Sequence, residues 1–185
     1  MTSQQPRLHQ HGPEIQEFGT VTQLPIALSH DARQYSCQRL NRVLADTQFL
    51  YSLYKKCHWG MRGPTAYQLH LLFDKHAQEQ LALIDVLAER VQSLGGVAVG
   101  DPRHAAQITG VPRPPDGIES TRSMLSRLLD AHEAILTDVR DAANRTAEFG
   151  DDGTQDLLVS QIIRTGENQV WFLAEHLVVA PSTGE

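Results

Sequence analysis

Five side chains in the first half of the chain are of types that bind transition metals: His58, His70, Asp74, Asp85 and Glu89. His70 and Asp74 are four residues apart, which on a helix places them on one face a turn apart, and Asp85 and Glu89 repeat that spacing. Asp74 and Asp85 are separated by eleven residues, which returns to nearly the same face but puts them roughly 16 Å apart along the axis. One subunit therefore cannot bring both pairs to one metal. Two copies can, if this helix packs antiparallel against its symmetry mate about a two-fold axis, so that the His70/Asp74 end of one meets the Asp85/Glu89 end of the other. Imidazole mixed with carboxylate suits iron with coordination positions left open for oxygen or peroxide, and zinc or manganese are possible substitutes. Spacing alone leaves a second reading open, in which these are ordinary solvated helix-surface residues.

The elements that must position these residues follow from apolar periodicity. Residues 1 to 30 lack a sustained helical period and read as a flexible N-terminal tail. From Asp31 to Cys57 the positions Leu40, Val43, Leu44, Thr47, Leu50, Tyr51 and Tyr54 recur at three- and four-residue steps, giving helix one, with His58 at its end. Trp59 to Pro64 reads as a turn, and helix two runs from there to about Leu94, where Gly95-Gly96 stops it. Residues 95 to 117 contain enough Gly and Pro to exclude a long helix, with room for a short one around Pro102 to Ile108. Helix three spans Glu119 to Glu148, and helix four runs from Asp151 or Thr154 to Val178. Short links make neighbours antiparallel, whereas the long middle link lets helices two and three run parallel, as in ferritin-like bundles. The expected domain is one all-α four-helix bundle over 31–179, followed by a short tail, 180–185.

Composition narrows the function classes. Sixteen Lys and Arg stand against 22 Asp and Glu, for a formal charge of −6, which opposes phosphate binding. The only lysines are Lys55, Lys56 and Lys75, and the two cysteines, Cys37 and Cys57, do not suggest a disulfide framework. No apolar run is long enough for a membrane span and no signal peptide is evident, so a cytoplasmic protein is expected.

The runs His58-Trp59-Gly60-Met61-Arg62-Gly63, His70-Leu71-Leu72-Phe73-Asp74, Ile84-Asp85-Val86-Leu87-Ala88-Glu89-Arg90 and Leu94-Gly95-Gly96 resemble the Dps family of miniature ferritins. The resemblance extends over nearly all of 32–178, including Asp156 and Trp171-Phe172. It implies a ferroxidase centre of two irons between two-fold-related subunits, with His58, His70 and Asp74 from one and Asp85 and Glu89 from the other. It further implies a dodecameric cage, oxidation of Fe(II) by hydrogen peroxide or oxygen, a stored ferric mineral, and a tryptophan, Trp59, beside the iron that intercepts oxidising intermediates. Iron-entry pores of the family are lined by carboxylates, for which Asp138, Asp141, Glu148, Asp151, Asp152 and Asp156 are candidates, although Asp151 and Asp152 could equally be helix caps. Some relatives hold a further metal near the N-terminus, where His9 and His11 stand here. Ferritins with ligands inside one bundle use Glu-x-x-His pairs, which this chain lacks.

Two further expectations follow. His76, about 200° round the helix from Asp74, should point away from the iron ligands and lie at the surface. DNA-condensing family members use basic tails, but residues 1–34 carry only Arg7 and Arg33 against Glu14, Glu17 and Asp31, and residues 179–185 carry no base. The chain is therefore expected not to bind DNA; the alternative is a DNA-compacting protein with weak ferroxidase activity.

Overall fold

The computed structural model describes residues 8–178 and is all-helical among them. Helix α1 (His30–Gly60) is capped by the Ser29 hydroxyl, which accepts from the Ala32 amide at 3.1 Å. It pairs along its length with α2 (Ala66–Ser93). Helix α2 ends in a Schellman turn: Gly95, at φ +86°, donates its amide to the Gln92 carbonyl, and Gly96 donates to that of Val91. The crossover carries the short α3 (Pro102–Ile108), begun by Asp101 as cap and Pro102 at the first position. Helix α4 (Thr121–Glu148) follows, then α5 (Asp152–Leu157), a π-helical stretch (Leu158–Ile163) and α6 (Arg164–Glu175). The last three run end to end without a break, so the bundle has four long rods.

The core is drawn from all four rods, with Leu40, Leu44, Leu50, Phe73, Leu87, Leu128, Leu158 and Leu173 fully or almost fully buried. Truncating one such leucine to alanine costs about 2–5 kcal/mol. Polar side chains of α1 fasten the crossover. The Asn41 amide donates to Val97 O at 2.9 Å and accepts from Val99 N at 2.8 Å, and Asp46 accepts from Thr109 Oγ1 and the Gly110 amide at 2.7 and 2.6 Å. These bonds satisfy backbone groups of a segment with little repeating structure of its own.

Three boundaries differ from the sequence expectation. Helix α1 continues through Trp59 to Gly60, so His58 and Trp59 sit on a helix, and α6 stops at Glu175. The segment before α1 is non-helical, but part of it lies against the bundle. Thr22 N donates to Gly95 O at 2.8 Å, Gln16 donates to the same carbonyl at 2.9 Å, and Arg33 donates to Thr22 O and to Gln23 at 2.5 and 2.8 Å. The signal was hidden because these bonds use backbone groups, which leave no period in the sequence. The expected C-terminal tail, 180–185, and Arg7 lie outside the described residues.

His76 corrects an expectation outright: it is completely buried. It does point away from Asp74. The face opposite the outer stripe of α2 is the bundle interior, where Tyr54 of α1 and Phe172 of α6 face the ring, so rotation away from Asp74 carried it inward.

Candidate metal centre

The turn between α1 and α2 folds the end of one helix onto the start of the other and brings His58 beside His70. Their rings stack with centroids 3.6 Å apart and 21° between planes. His58 Nδ1 lies 2.8 Å from the His70 carbonyl, and His70 Nδ1 lies 3.0 Å from the His58 carbonyl. A carbonyl only accepts, so each Nδ1 carries a proton, and Nε2 is the ring nitrogen left for a metal. Backbone clamping of one ring nitrogen is how proteins orient imidazoles as metal ligands.

Asp74 stands one turn after His70, half-exposed, and Lys55 Nζ donates to it at 2.6 Å. That hydrogen bond, with the charges of Lys55, His58 and His70, holds the carboxyl below its usual range. Lys55 also lies 6.0 Å from the Trp59 ring centroid. Asp85 and Glu89 are exposed farther along α2. Among the described residues of a single subunit, no group of three His, Cys, Asp or Glu converges to hold a metal. The structure thus gathers His58, His70 and Asp74 at one end of α2 and leaves Asp85 and Glu89 apart. Between and beside them the surface is apolar: Trp59 is 74% exposed, Tyr67 72%, Leu71 50% and Leu81 45%.

Most of the acidic candidates for iron entry have structural partners. Asp138 and Asp141 accept from Arg39 at 2.7 and 3.3 Å, and Glu148 accepts from Arg145 at 2.8 Å. Asp151 is buried, caps α5 through the Thr154 amide at 3.0 Å and pairs with Arg90 at 2.5 Å. Burial pushes its carboxyl up, but hydrogen bonds from the Thr154 amide and hydroxyl and the Arg90 charge outweigh this and hold it below the usual range. Its role is that of a cap. Asp152, Asp156, His9 and His11 are exposed.

Sequence reasoning missed two features. One is the Lys55–Asp74 pair, whose members lie nineteen positions apart on different helices. The other is a buried polar cluster inside the bundle. There Tyr54 O–H meets His132 Nε2 at 2.6 Å, Gln80 donates to Gln169 Oε1 at 2.9 Å, and Gln169 donates to Glu79 at 2.8 Å. Both ring nitrogens of His76, in the same region, make no hydrogen bond. Tyr54 could have been noticed as a polar tip within an apolar stripe, but its partners come from helices distant in sequence.

Residues 37–182 match the family model described as a ferritin-like domain. The solved structure of DpsC from Streptomyces coelicolor superposes with a TM-score of 0.90 at 70% identity, covering 93% of this chain and all of that one. The chain belongs to the Dps family of ferritin-like proteins. A Dps protein from Vibrio cholerae, titled a member of a broad superfamily of ferritin-like diiron-carboxylate proteins, matches at 28% identity and TM-score 0.78, over 88% of this chain and 99% of that one. A nutrient stress-induced DNA-binding protein of Synechococcus is 31% identical over 88% of this chain and 92% of its own length. The ferritin-like four-helix bundle of the family is the architecture described above. No described helix of this Dps protein is long and apolar enough to cross a membrane.

Proposed function

We propose that this Dps protein is a ferroxidase and iron store: it oxidises Fe(II) with hydrogen peroxide or oxygen at sites shared between two subunits and keeps the ferric product in a dodecameric cage. The observation that carries the reading is the reciprocal clamp of His58 and His70, which leaves two Nε2 lone pairs available at one end of α2. His58, His70 and Asp74 from one subunit, with Asp85 and Glu89 from its two-fold mate, are proposed to hold a pair of Fe(II) as substrate. Zn(II) or Mn(II) are possible substitutes at the same ligands. The exposed Tyr67, Leu71 and Leu81 on α2 supply apolar surface for that antiparallel contact. Within the site, the histidines bind as neutral ligands and the carboxylates offset the charge that rises as iron is oxidised. Trp59 is proposed to intercept stray oxidant beside the iron. The role assigned to the cell is protection from oxidative stress in the cytoplasm.

A second reading, a DNA-compacting protein with weak ferroxidase activity, is favoured by the name of the Synechococcus relative. Against it stand the charge of −6 and the scarcity of bases before residue 35 and after residue 178.

Anaerobic Fe(II) titration of the assembly, with peroxide and oxygen then added separately and the particle mass measured, tests the proposal. Saturation with two Fe(II) per site, oxidation and a mineral-filled particle are expected. A strong DNA mobility shift without iron oxidation would sink it in favour of the second reading.

A further inference from the structure

Tyr54 is fully buried in the bundle, and its hydroxyl sits 2.6 Å from His132 Nε2. The other polar atom in reach, Gln169 Oε1 at 3.3 Å, already accepts from Gln80 at 2.9 Å. The approach to the imidazole is 0.7 Å shorter than that to the amide oxygen, so the stronger contact of the phenol is with His132. Burial pushes His132 down to about 3, so the ring is neutral, and with its proton on Nδ1 the Nε2 beside the phenol is a base. Burial also raises the Tyr54 phenol well above its ordinary value, so the proton is not lost to solvent in the resting protein. The pair is a phenol with one dedicated base.

Tyr54 precedes His58 by one helical turn, about 6 Å of rise along α1. Its ring lies 6.1 Å from that of Phe73, the residue before Asp74. Before a site has taken up its second iron, peroxide meets a single Fe(II). Peroxide needs two electrons for complete reduction, and one Fe(II) provides one. The missing electron must come from elsewhere if a hydroxyl radical is not to be released.

We propose that Tyr54 supplies that second electron and His132 takes its proton. The inference rests on the ferroxidase reading above. The O–O bond of hydrogen peroxide breaks, one electron leaves Fe(II) and one leaves the phenol, and two solvent protons complete two waters. The phenolic proton moves to His132 Nε2, leaving Fe(III), a neutral phenoxyl on Tyr54 and an imidazolium. A later Fe(II) returns an electron to the phenoxyl as His132 returns the proton, so each peroxide ends as two waters and two Fe(III).

The test is freeze-quench electron paramagnetic resonance on the full assembly, loaded anaerobically with one Fe(II) per site and mixed with one equivalent of hydrogen peroxide. A tyrosyl signal is expected that narrows when the protein carries ring-deuterated tyrosine, an assignment that needs no variant. The signal should vanish in Tyr54→Phe and persist in Tyr51→Phe, and spin-trapped hydroxyl radical should rise severalfold in Tyr54→Phe alone. His132→Gln keeps an acceptor for the hydroxyl but no base, and should slow radical formation and abolish its solvent deuterium effect. Iron oxidation without a tyrosyl signal, or a signal unchanged in Tyr54→Phe, overturns the inference while leaving the ferroxidase reading intact. Absence of iron oxidation by wild-type protein overturns both.

Discussion

Lys55 Nζ lies 2.6 Å from a carboxylate oxygen of Asp74, so one of the proposed iron ligands is already paired with a cation from the neighbouring helix. Iron binding at Asp74 must displace or share that partner. Lys55→Met should tighten Fe(II) binding by a few-fold, a modest effect because the pair is solvent-screened. Anaerobic calorimetric titration of Fe(II) checks this, and weaker binding in the variant would mean that Lys55 orients Asp74 instead of competing for it.

The clamp between His58 and His70 predicts a local effect on chemistry and a small one on folding. His70→Ala removes one ligand, its own hydrogen bond to the His58 carbonyl and the ring stacked on His58, and the initial rate of Fe(II) oxidation should fall by about 10–100-fold or more. Stability should drop by only about 1 kcal/mol, the net worth of one hydrogen bond. Stopped-flow absorbance and urea unfolding measure the two.

A site divided between subunits should complement. Homo-assemblies of His70→Ala or of Asp85→Asn are each expected to be inactive. Subunits of the two kinds mixed by reversible dissociation form one intact site in each mixed dimer, and random mixing should restore about a quarter of wild-type activity. No recovery in assemblies shown by mass spectrometry to be mixed would place all the ligands in one subunit.

His132 gives the fold an acid sensitivity of defined sign. Its value is lowered from 6.5 to about 3, chiefly by burial, so the unfolded chain binds a proton that the folded one does not. Stability is complete above about pH 6.5 and is lost as pH falls below it toward 3, at about 1.4 kcal/mol per pH unit. In His132→Gln the slope of unfolding free energy between pH 6 and 4 should be shallower by up to that amount, as read by urea denaturation across the range.

Asp151 both caps α5 and neutralises Arg90. Asp151→Ala should cost about 3 kcal/mol, since it removes a cap worth about 1 kcal/mol and leaves the part-buried guanidinium unpaired. Iron oxidation per folded subunit should be unaffected, and a marked loss would point instead to a role for this residue in iron entry.

Much of the fold was legible because helices announce themselves locally. Apolar residues at steps of three and four, Pro102 after Asp101, and Gly95-Gly96 after Leu94 are signals contained in a few turns of chain. The grouping of His70 with Asp74, and the exclusion of Asp85 and Glu89 from the same end, followed from pitch and rise alone. His58 was recognised through the motif, and its approach to His70 depended on how sharply the chain turns at Arg62 to Thr65.

The amino-acid sequence by itself determined the four rods, the long crossover and the family, and singled out the candidate ligands, because each is written in local spacing or residue identity. Tertiary structure alone decided that Lys55 meets Asp74, that His76 faces inward, that Asp151 is a cap held by Arg90, and that Tyr54 finds His132. Those relationships join residues 19 to 78 positions apart or depend on which helix face is covered. Helix period fixes the direction in which a side chain points, but only packing determines what it meets there.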